Sequence, residues 1–376
     1  MPAVSSDDSL FHEVALTLFP GIGPQLTRQL MSYLGSAKAV LMAPPGRLHK
    51  VPGVGAATIA ALSSGRSAAF TQAEATLRRA ETEGVQLLFY TSKAYPRRLK
   101  LLPDAPVLLY YQGTADLNHD KTLALVGTRQ ATDYGRDQTE RLVKGLVPHN
   151  PLVVSGLAYG IDIMAHRAAL QEGLSTIGVM ATGLDVIYPH AHRKTAEKML
   201  TQGGLLTEFP FGTQPDKYNF PARNRIIAGL SDGTVVVEAA LKGGALITAE
   251  LALSYDRDVL AVPGNLGSAA SEGCNALIKT NKAALYMEPR DVEELLNWDA
   301  ALHQSGKFRP APAYDPADFT EPEFQLIEVL AAAREELMDN LSWKTQLPVN
   351  QVASLLLGLE FRGVVRSLPG KKFVLV

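Results

Sequence analysis

The sequence has a single cysteine, Cys274, among its 376 residues. One thiol cannot build an internal disulfide framework or a cysteine-rich zinc site. The sequence also lacks an excess of one charge, because 36 Lys and Arg nearly balance 38 Asp and Glu. No global basic field therefore attracts nucleic acid, and binding to any polyanion must come from a local patch.

Long apolar runs are missing as well. No uninterrupted run approaches about 18 residues, the length that spans a membrane, and acidic Asp7 and Asp8 stand where an export signal would be basic. We therefore expect a cytoplasmic protein without a membrane span. With 46% hydrophobic and 20% charged residues, the chain is long enough for two or three globular domains.

The first part of the chain, residues 1–84, has helical patterns and an internal repeat. Gly21-Ile-Gly23 and Gly53-Val-Gly55 each deliver the chain into a predicted helix. This turn resembles the hairpin of helix-hairpin-helix (SAM-like) domains, whose backbone N–H groups hold a DNA phosphate. The alternative is that the hairpins only pack short helices together, since Lys50 and Arg66 give a weak electrostatic footprint.

From residue 85 the pattern changes to short apolar runs that alternate with amphipathic helices. The runs span residues 85–90, 107–111, 122–126, 152–154, 176–180, 205–207, 234–237 and 259–262. Helical patterns cover residues 135–146, 160–171, 191–200, 223–230 and 246–255. Such alternation is typical of a mainly parallel sheet covered on both faces. We predict a Rossmann-like α/β domain over residues 85–302, with ligands beyond the carboxyl ends of its strands.

The predicted strand ends are rich in glycine, which lets a backbone approach a phosphate closely. A dinucleotide cofactor fits poorly, because no strand is followed by Gly-x-Gly-x-x-Gly and Gly127-Thr-Arg129 puts a cation where that fingerprint keeps small groups. No phosphate-loop motif occurs either. The sequence therefore predicts no cofactor.

Histidines near these strand ends allow a catalytic or metal interpretation, which we consider weaker. Asp162 and His166 are suited to acid–base chemistry, but helix capping and core packing explain them better. His190 and His192 have no further histidine or cysteine at ligand spacing, so a solvated helix start is favoured over a metal site.

The strongest anion signal lies in residues 209–248. Lys217 and Phe220 come just before an apolar helix whose first turn carries Arg223 and Arg225. The N–H groups and dipole of a helix start favour an anion, and the side chains add positive charge at the same place. The sequence therefore predicts a polyanion site here and leaves open which polyanion it binds.

Five motifs follow one another through the central domain. They are Val126-Gly-Thr-Arg129, Ser155-Gly-Leu-Ala-Tyr-Gly-Ile-Asp162, Gly183-Leu-Asp-Val-Ile-Tyr-Pro189, Phe220-Pro-Ala-Arg-Asn-Arg-Ile-Ile-Ala-Gly-Leu-Ser231 and Gly243-Gly-Ala-Leu-Ile-Thr248. In this order they resemble the DNA-processing protein A family, also called DprA or Smf. The resemblance implies a homodimer that binds single-stranded DNA, protects incoming DNA in natural transformation and loads the recombinase RecA. It implies no enzymatic reaction.

The resemblance also implies which residues form the DNA site. The family's pocket corresponds to Arg129, Lys217, Phe220 and Asn224, with Gly243, Gly244 and Ala245 as a loop against which the strand lies. Further cations expected to contact DNA are Arg223, Arg225 and Lys242, with Arg193 and Lys194 near where the family often places basic contacts.

Each assignment has a structural alternative. Arg223 and Arg225 could pair with Glu208 or Glu238, and Phe220 could be a hydrophobic staple of its helix. Two further residues, Leu277 and Ile278, are a candidate dimer surface, although core packing explains them nearly as well.

Residues 303–317, rich in Pro, Ala and Asp, are predicted to be a linker, and residues 318–376 resemble a winged helix. This last segment has eight acidic against six basic residues, which is unfavourable for DNA. Protein binding is at least as good an interpretation, although Lys371 and Lys372 at the wing could make a weaker contact with double-stranded DNA.

An enzyme remains the alternative from another class. Nucleoside-monophosphate phosphoribohydrolases also carry a Gly-Gly loop on a Rossmann-like domain, and they need Pro-Gly-Gly-x-Gly-Thr-x-x-Glu. Here Lys242 replaces the proline and Leu246 interrupts the Gly-Thr spacing. Product formation from a nucleoside monophosphate would favour this alternative.

Overall fold

The computed structural model describes residues 7–298, 314, 318–333, 335–368 and 372–375. Their contacts group into two compact units, residues 1–300 and 301–376. Apart from Tyr314, the predicted linker 303–317 lies outside the described residues. Across the described parts of the chain, the helices are too short or too polar to cross a membrane.

The first unit begins with helices joined by the two predicted hairpins. Gly21 and Gly53 have φ values of 79° and 75°. Glycine reaches this left-handed region without steric penalty, so each hairpin turns sharply into the next helix. The helices are α1 (Asp7–Thr17), α2 (Pro24–Leu34), α3 (Ala37–Met42), α4 (Pro45–Leu48), α5 (Ala56–Ser64) and α6 (Arg66–Glu83).

A nine-stranded sheet follows, in the order β1-β2-β6-β5-β4-β3-β7-β8-β9. Its first two strands are antiparallel additions at one edge, and the other seven are parallel. The strands are β1 (Gln86–Phe89), β2 (Leu108–Gly113), β3 (Thr122–Val126), β4 (Leu152–Ser155), β5 (Thr176–Val179), β6 (Gly203–Thr207), β7 (Gly233–Val236), β8 (Asp258–Ala261) and β9 (Ala284–Leu285). This confirms the predicted mainly parallel sheet.

Helices cover both faces of the sheet, as the all-apolar strands require. On β3, Leu123 and Leu125 pack into one core while Ala124 and Val126 pack into the other. The helices of this part are α7 (Arg97–Lys100), α8 (Asp133–Gly145), α9 (Ile161–Gln171), α10 (Arg193–Met199), α11 (Asn219–Leu230), α12 (Gly244–Ser254), α13 (Glu272–Lys279) and α14 (Pro289–Leu295).

The order of the strands reverses at β3. The chain adds β4, β5 and β6 on one side of β3, then returns through α11 to place β7 and β8 on the other. Such a reversal leaves a crevice at the carboxyl ends of the central strands, where open α/β sheets bind ligands. The loop after β3 and the start of α11 both lie at this edge.

The second unit is a winged helix. Three helices pack around a small core that includes Leu326, Leu341 and Leu356, and a three-stranded sheet has the order β10-β12-β11. Its elements are α15 (Glu321–Ala333), β10 (Glu335–Leu337), α16 (Met338–Thr345), α17 (Val349–Phe361), β11 (Val365–Leu368) and β12 (Lys372–Leu375). Residues 369–371, where the sequence predicts the wing with Lys371, lie outside the described residues.

Candidate nucleic-acid interface

A shallow cleft lies at the carboxyl edge of the sheet. Its walls come from the loops after β3, β4 and β5 and from the first turns of α11. The lining residues include Arg129, Gly156, Tyr159, Tyr188, Phe220 and Arg223. The free volume is about 30 Å³, close to the space of one water molecule. The cleft as it stands therefore has no room for a nucleotide, and a ligand must lie across it or open it.

Phe220 is the aromatic centre of this cleft. The guanidinium carbon of Arg129 lies 5.1 Å from its ring centroid, and the ring of Tyr188 lies 5.8 Å away, centroid to centroid. Arg129 is exposed and Phe220 is partly exposed. A guanidinium beside an aromatic face suits a ligand that combines an anion with a flat ring.

Lys217 and Tyr218 extend this surface just before α11. Both are exposed, Tyr218 by 73%, and the Lys217 ammonium lies 4.9 Å from the Tyr218 ring centroid. The turn that carries them is held by Asp216, whose carboxylate accepts a hydrogen bond from the Tyr218 N–H at 2.8 Å. Pro221 is tolerated after them because the first turn of a helix needs no N–H donor there.

Arg223 does not face solvent. It is 3% exposed, and its guanidinium donates to the carbonyl oxygens of Gly156 and Val179. Burial lowers the pKa of Arg223 to about 10, although the nearby Asp162 carboxylate opposes this shift. A side chain at position 156 would collide with the guanidinium, so glycine there leaves room for Arg223 in this position. The expected contact of Arg223 with a phosphate does not fit this geometry, because the residue supports the floor of the cleft from within.

Arg225 forms an ion pair with Glu208, the structural alternative to contact with DNA. Its guanidinium also donates to the carbonyl oxygen of Asp104 at 2.6 Å. Burial raises the pKa of Glu208, while Arg225 lowers it. The positive charge of Arg225 is therefore already neutralised, and the residue ties α11 to the loop after β6.

The glycine loop before α12 is joined to α11. Asn224 donates from Nδ2 to the carbonyl oxygen of Gly244 at 3.3 Å. Gly243 precedes the first turn of α12, and Ala245 is buried within it. Lys242 is exposed, so it and the open face of Gly244 are available on the same loop.

The start of α10 carries Arg193 and Lys194, both exposed. Arg193 forms an ion pair with Glu197 at 3.0 Å and lines a different cleft, of about 420 Å³, with Leu184 and Leu205. The structure therefore does not bring Arg193 together with Arg129 and Phe220.

Asp162 and His166 are both buried on α9. His166 Nδ1 lies 2.7 Å from the Thr176 hydroxyl, and burial lowers the pKa of His166 to about 3. A neutral, enclosed imidazole is suited to packing and not to proton transfer with a ligand. The described residues contain no cluster of three or more His, Cys, Asp or Glu side chains placed to hold a metal ion.

The residues proposed for a dimer surface differ in burial. Leu277 is 5% exposed and belongs to the central core, as the packing alternative requires, while Ile278 is only partly buried against that core. In the structure, Leu277 is therefore a core residue and Ile278 is the more accessible of the two.

Tyr159 and Tyr188 were not among the predicted site residues. They are 49% and 47% exposed and line the cleft with Phe220. The signal was present in the sequence, because each is an aromatic residue at a strand end within a motif quoted above. Three aromatic rings in the lining of one cleft make this edge more aromatic than Phe220 alone indicates.

Comparison with known proteins agrees with a Rossmann-like domain followed by a winged helix. The family model described as DNA recombination-mediator protein A matches residues 86–297, and the model of the DprA winged helix domain matches residues 310–371. Protein Smf of Synechocystis is 32% identical and the match covers 94% of this chain and 95% of that protein.

Two solved structures resemble the chain. DNA processing protein A from Streptococcus pneumoniae has a TM-score of 0.61 and 33% identity, covering 78% of this chain and 98% of that one. A Helicobacter pylori DNA processing protein A, described for its single-stranded DNA binding mode, has a TM-score of 0.52 and 30% identity, covering 57% and 96%.

The fold and the matching family model thus define the class of protein, a DNA recombination mediator. The chain belongs to the DNA recombination-mediator protein A family, whose members include proteins named Smf and DprA.

Proposed function

We propose that this protein binds single-stranded DNA along the carboxyl edge of its sheet and acts there as a mediator, not as an enzyme. The observation that carries the proposal is the exposed guanidinium of Arg129 at 5.1 Å from the ring of Phe220. Phosphates contact cations, and unpaired bases stack on aromatic faces. The Helicobacter pylori relative, described for its single-stranded DNA binding mode, supports the same interpretation.

The proposed path begins at Lys217 and Tyr218, crosses Arg129 and Phe220, and reaches the loop of Lys242 and Gly244. Positive charge is concentrated along this path at Lys217, Arg129 and Lys242, whereas the whole chain is nearly neutral. Affinity should therefore depend on a few cations. Neutralising each phosphate on a single strand contributes about 0.7 to the slope of log K against log salt.

Binding of a labelled oligo-thymidine, measured at several salt concentrations, tests this path. Arg129→Ala and Lys217→Ala are each expected to weaken binding and to flatten the salt slope by about 0.7–1. Arg290→Ala is the matched control, because Arg290 is an exposed cation on α14 that pairs with Glu294. Parent-like binding by both cleft variants at unchanged fold stability would refute the location of the site.

We further propose that the protein is a cytoplasmic homodimer that protects incoming DNA in natural transformation and loads RecA. The family membership supports this role, with residues 1–84, 85–302 and 318–376 as three functional domains. The test is RecA-dependent ATP hydrolysis on DNA coated with single-strand-binding protein. Acceleration by the parent and not by Arg129→Ala is expected, whereas no acceleration by either would reject RecA loading and leave DNA binding intact.

A further inference from the structure

Two neighbouring loops of the first unit supply much of the proposed DNA path. The loop after β5, residues 183–189, carries Tyr188, whose ring lies 5.8 Å from that of Phe220. The loop after β6, residues 208–218, carries Lys217. Loops lack the repeated backbone hydrogen bonds of helices and strands, so their geometry depends on the side chains that cross-link them. We call these two loops the loop pair.

The members of the loop pair are joined to each other. The Gly183 N–H donates to the carbonyl oxygen of Thr213 at 3.1 Å, and the Asp185 carboxylate accepts the Gly212 N–H at 2.9 Å. A side chain at position 183 would collide with Asp185 and with the carbonyl oxygen of Pro210, so glycine lets the loops approach this closely. The Asp185 carboxylate is therefore a point at which the two loops meet.

A residue outside both loops contacts this junction. Arg79, near the end of α6, donates from its guanidinium to Asp185 at 2.9 Å, and its guanidinium carbon lies 4.4 Å from the centroid of the Phe211 ring. Arg79 also pairs with Glu83 on its own helix at 2.7 Å. One side chain therefore contacts both members of the loop pair, the first through charge and the second through an aromatic face.

The helix that carries Arg79 is packed against the sheet. Ala73 and Ala80 of α6 are buried in a core that continues to Leu184, in the loop after β5, and to Leu205 on β6. A buried helix face is far less mobile than a surface loop. Arg79 therefore extends from a fixed support to two segments that need one.

We propose that Arg79 is a positioning residue, which holds the loop pair in the geometry that binds single-stranded DNA. The inference rests on the proposed function, because these loops serve DNA only if the strand crosses Lys217 and Phe220. Loops that are already ordered lose less entropy on binding, so α6 raises the affinity of a site that it does not itself form. The Arg79 side chain is 41% exposed, and ion pairs at such sites contribute little to global stability. The positioning role is thus separable from folding.

Hydrogen exchange of the full chain tests the contact directly. Arg79→Ala removes the ion pair with Asp185 and the cation–aromatic contact, which together should shift the loop pair about tenfold toward open geometries. Exchange in peptides that cover the loop pair is expected to accelerate about tenfold, while β3 and β4 exchange as in the parent. Arg78→Ala is the matched control, because Arg78 is the adjacent arginine and pairs at the surface with Glu74.

Asp185→Asn is a second variant that addresses the same contact from the other side. The asparagine oxygen still accepts the Gly212 N–H, but it carries no charge for Arg79. It should accelerate exchange in the same two loops. Arg79→Ala combined with Asp185→Asn should exchange no faster than Arg79→Ala alone, because both changes remove one ion pair. Additive acceleration in the double variant would overturn the inference.

Oligo-thymidine binding tests whether the held geometry serves DNA. Arg79→Ala is expected to weaken binding about 3- to 10-fold, because the strand binds only the fraction in which the loops are held. The salt slope should stay unchanged, and Arg78→Ala should match the parent in affinity and slope. A slope lowered by about 0.7 would overturn the positioning role by showing a phosphate contact of Arg79. Parent-like binding by Arg79→Ala would overturn it as well.

The exchange measurement separates this inference from the proposed function. A parent that fails to bind oligo-thymidine would refute the proposed function and the DNA part of the inference, while exchange still decides whether Arg79 holds the loop pair. Parent-like exchange in the loop pair of both Arg79→Ala and Asp185→Asn would overturn that contact's role. Acceleration that extends to β3 and β4 would also overturn it, because it marks a loss of global stability.

Discussion

Replacing Arg223 by methionine separates the two roles considered for this residue. The change removes a 3%-exposed guanidinium, leaves the carbonyl oxygens of Gly156 and Val179 without their donor, and leaves Asp162 buried without a nearby cation. Methionine fills much of the same space with a flexible apolar chain. The lost stability should therefore come from the missing charge and hydrogen bonds and not from a cavity.

The expected cost is about 3–5 kcal/mol of unfolding free energy, because breaking a buried charged arrangement from one side leaves uncompensated groups. Urea unfolding followed by tryptophan fluorescence measures it. The two tryptophans are Trp298, 4% exposed in the first unit, and Trp343, 74% exposed in the second. In a Trp343→Phe background the signal reports on the first unit alone.

Arg290→Met provides the control, since Arg290 is an exposed cation and its loss should change stability by less than about 0.5 kcal/mol. The reasoning would be refuted if Arg223→Met unfolded at the parent's urea concentration while its DNA salt slope fell by about 0.7, as a direct phosphate contact predicts. In the same background, Arg129→Ala should show the opposite pattern, with stability retained and the salt slope reduced.

Two further predictions concern single side chains. Phe220→Leu should weaken oligo-thymidine binding about 5- to 150-fold in an anisotropy titration. The salt slope should stay unchanged, because the substitution removes a stacking face and no cation. An altered slope with unchanged affinity would contradict the stacking role. His166 has a folded pKa near 3, below its usual 6.5, so only the unfolded chain takes up its proton as pH falls through 6.5, and stability is lost. Between pH 7 and pH 5 this loss is about 2 kcal/mol. His166→Gln should remove it in urea titrations at the two pH values, and an equal loss in both proteins would show that other groups are responsible.

The sequence predicts the strands of the central sheet well, because buried parallel strands are short runs of almost entirely apolar residues. The run at residues 122–126 coincides with β3, since every residue in it is buried and the run lies between Lys121 and Gly127. The start of α11 was placed at Arg223, four residues too late, because Pro221 reads as a break although the first turn tolerates it. The short strands β9 and β10 were missed, because two or three residues carry no period.

The site was harder to predict, because the sequence does not show which way a cation points. The sequence does not distinguish Arg129, Arg223 and Arg225. In the structure the first is exposed, the second donates to carbonyl oxygens just after β4 and at the end of β5, and the third pairs with Glu208. Those partners lie between 17 and 67 residues away along the chain. Only the folded sheet brings them together, so motif spacing indicates a candidate region and does not show the role of each arginine.

The contact between Arg129 and Phe220 means that the protein occupies its own stacking face before any ligand arrives. A base that settles on that face must first displace the guanidinium, and the lost cation–aromatic attraction is worth about 0.5–1 kcal/mol at an exposed site. The displaced Arg129 guanidinium is then free to contact the phosphate of the same nucleotide. Base stacking on Phe220 and phosphate neutralisation by Arg129 are therefore coupled. A free nucleobase has no phosphate for the displaced guanidinium, and a duplex has no unpaired base for the ring, so neither ligand can make both contacts.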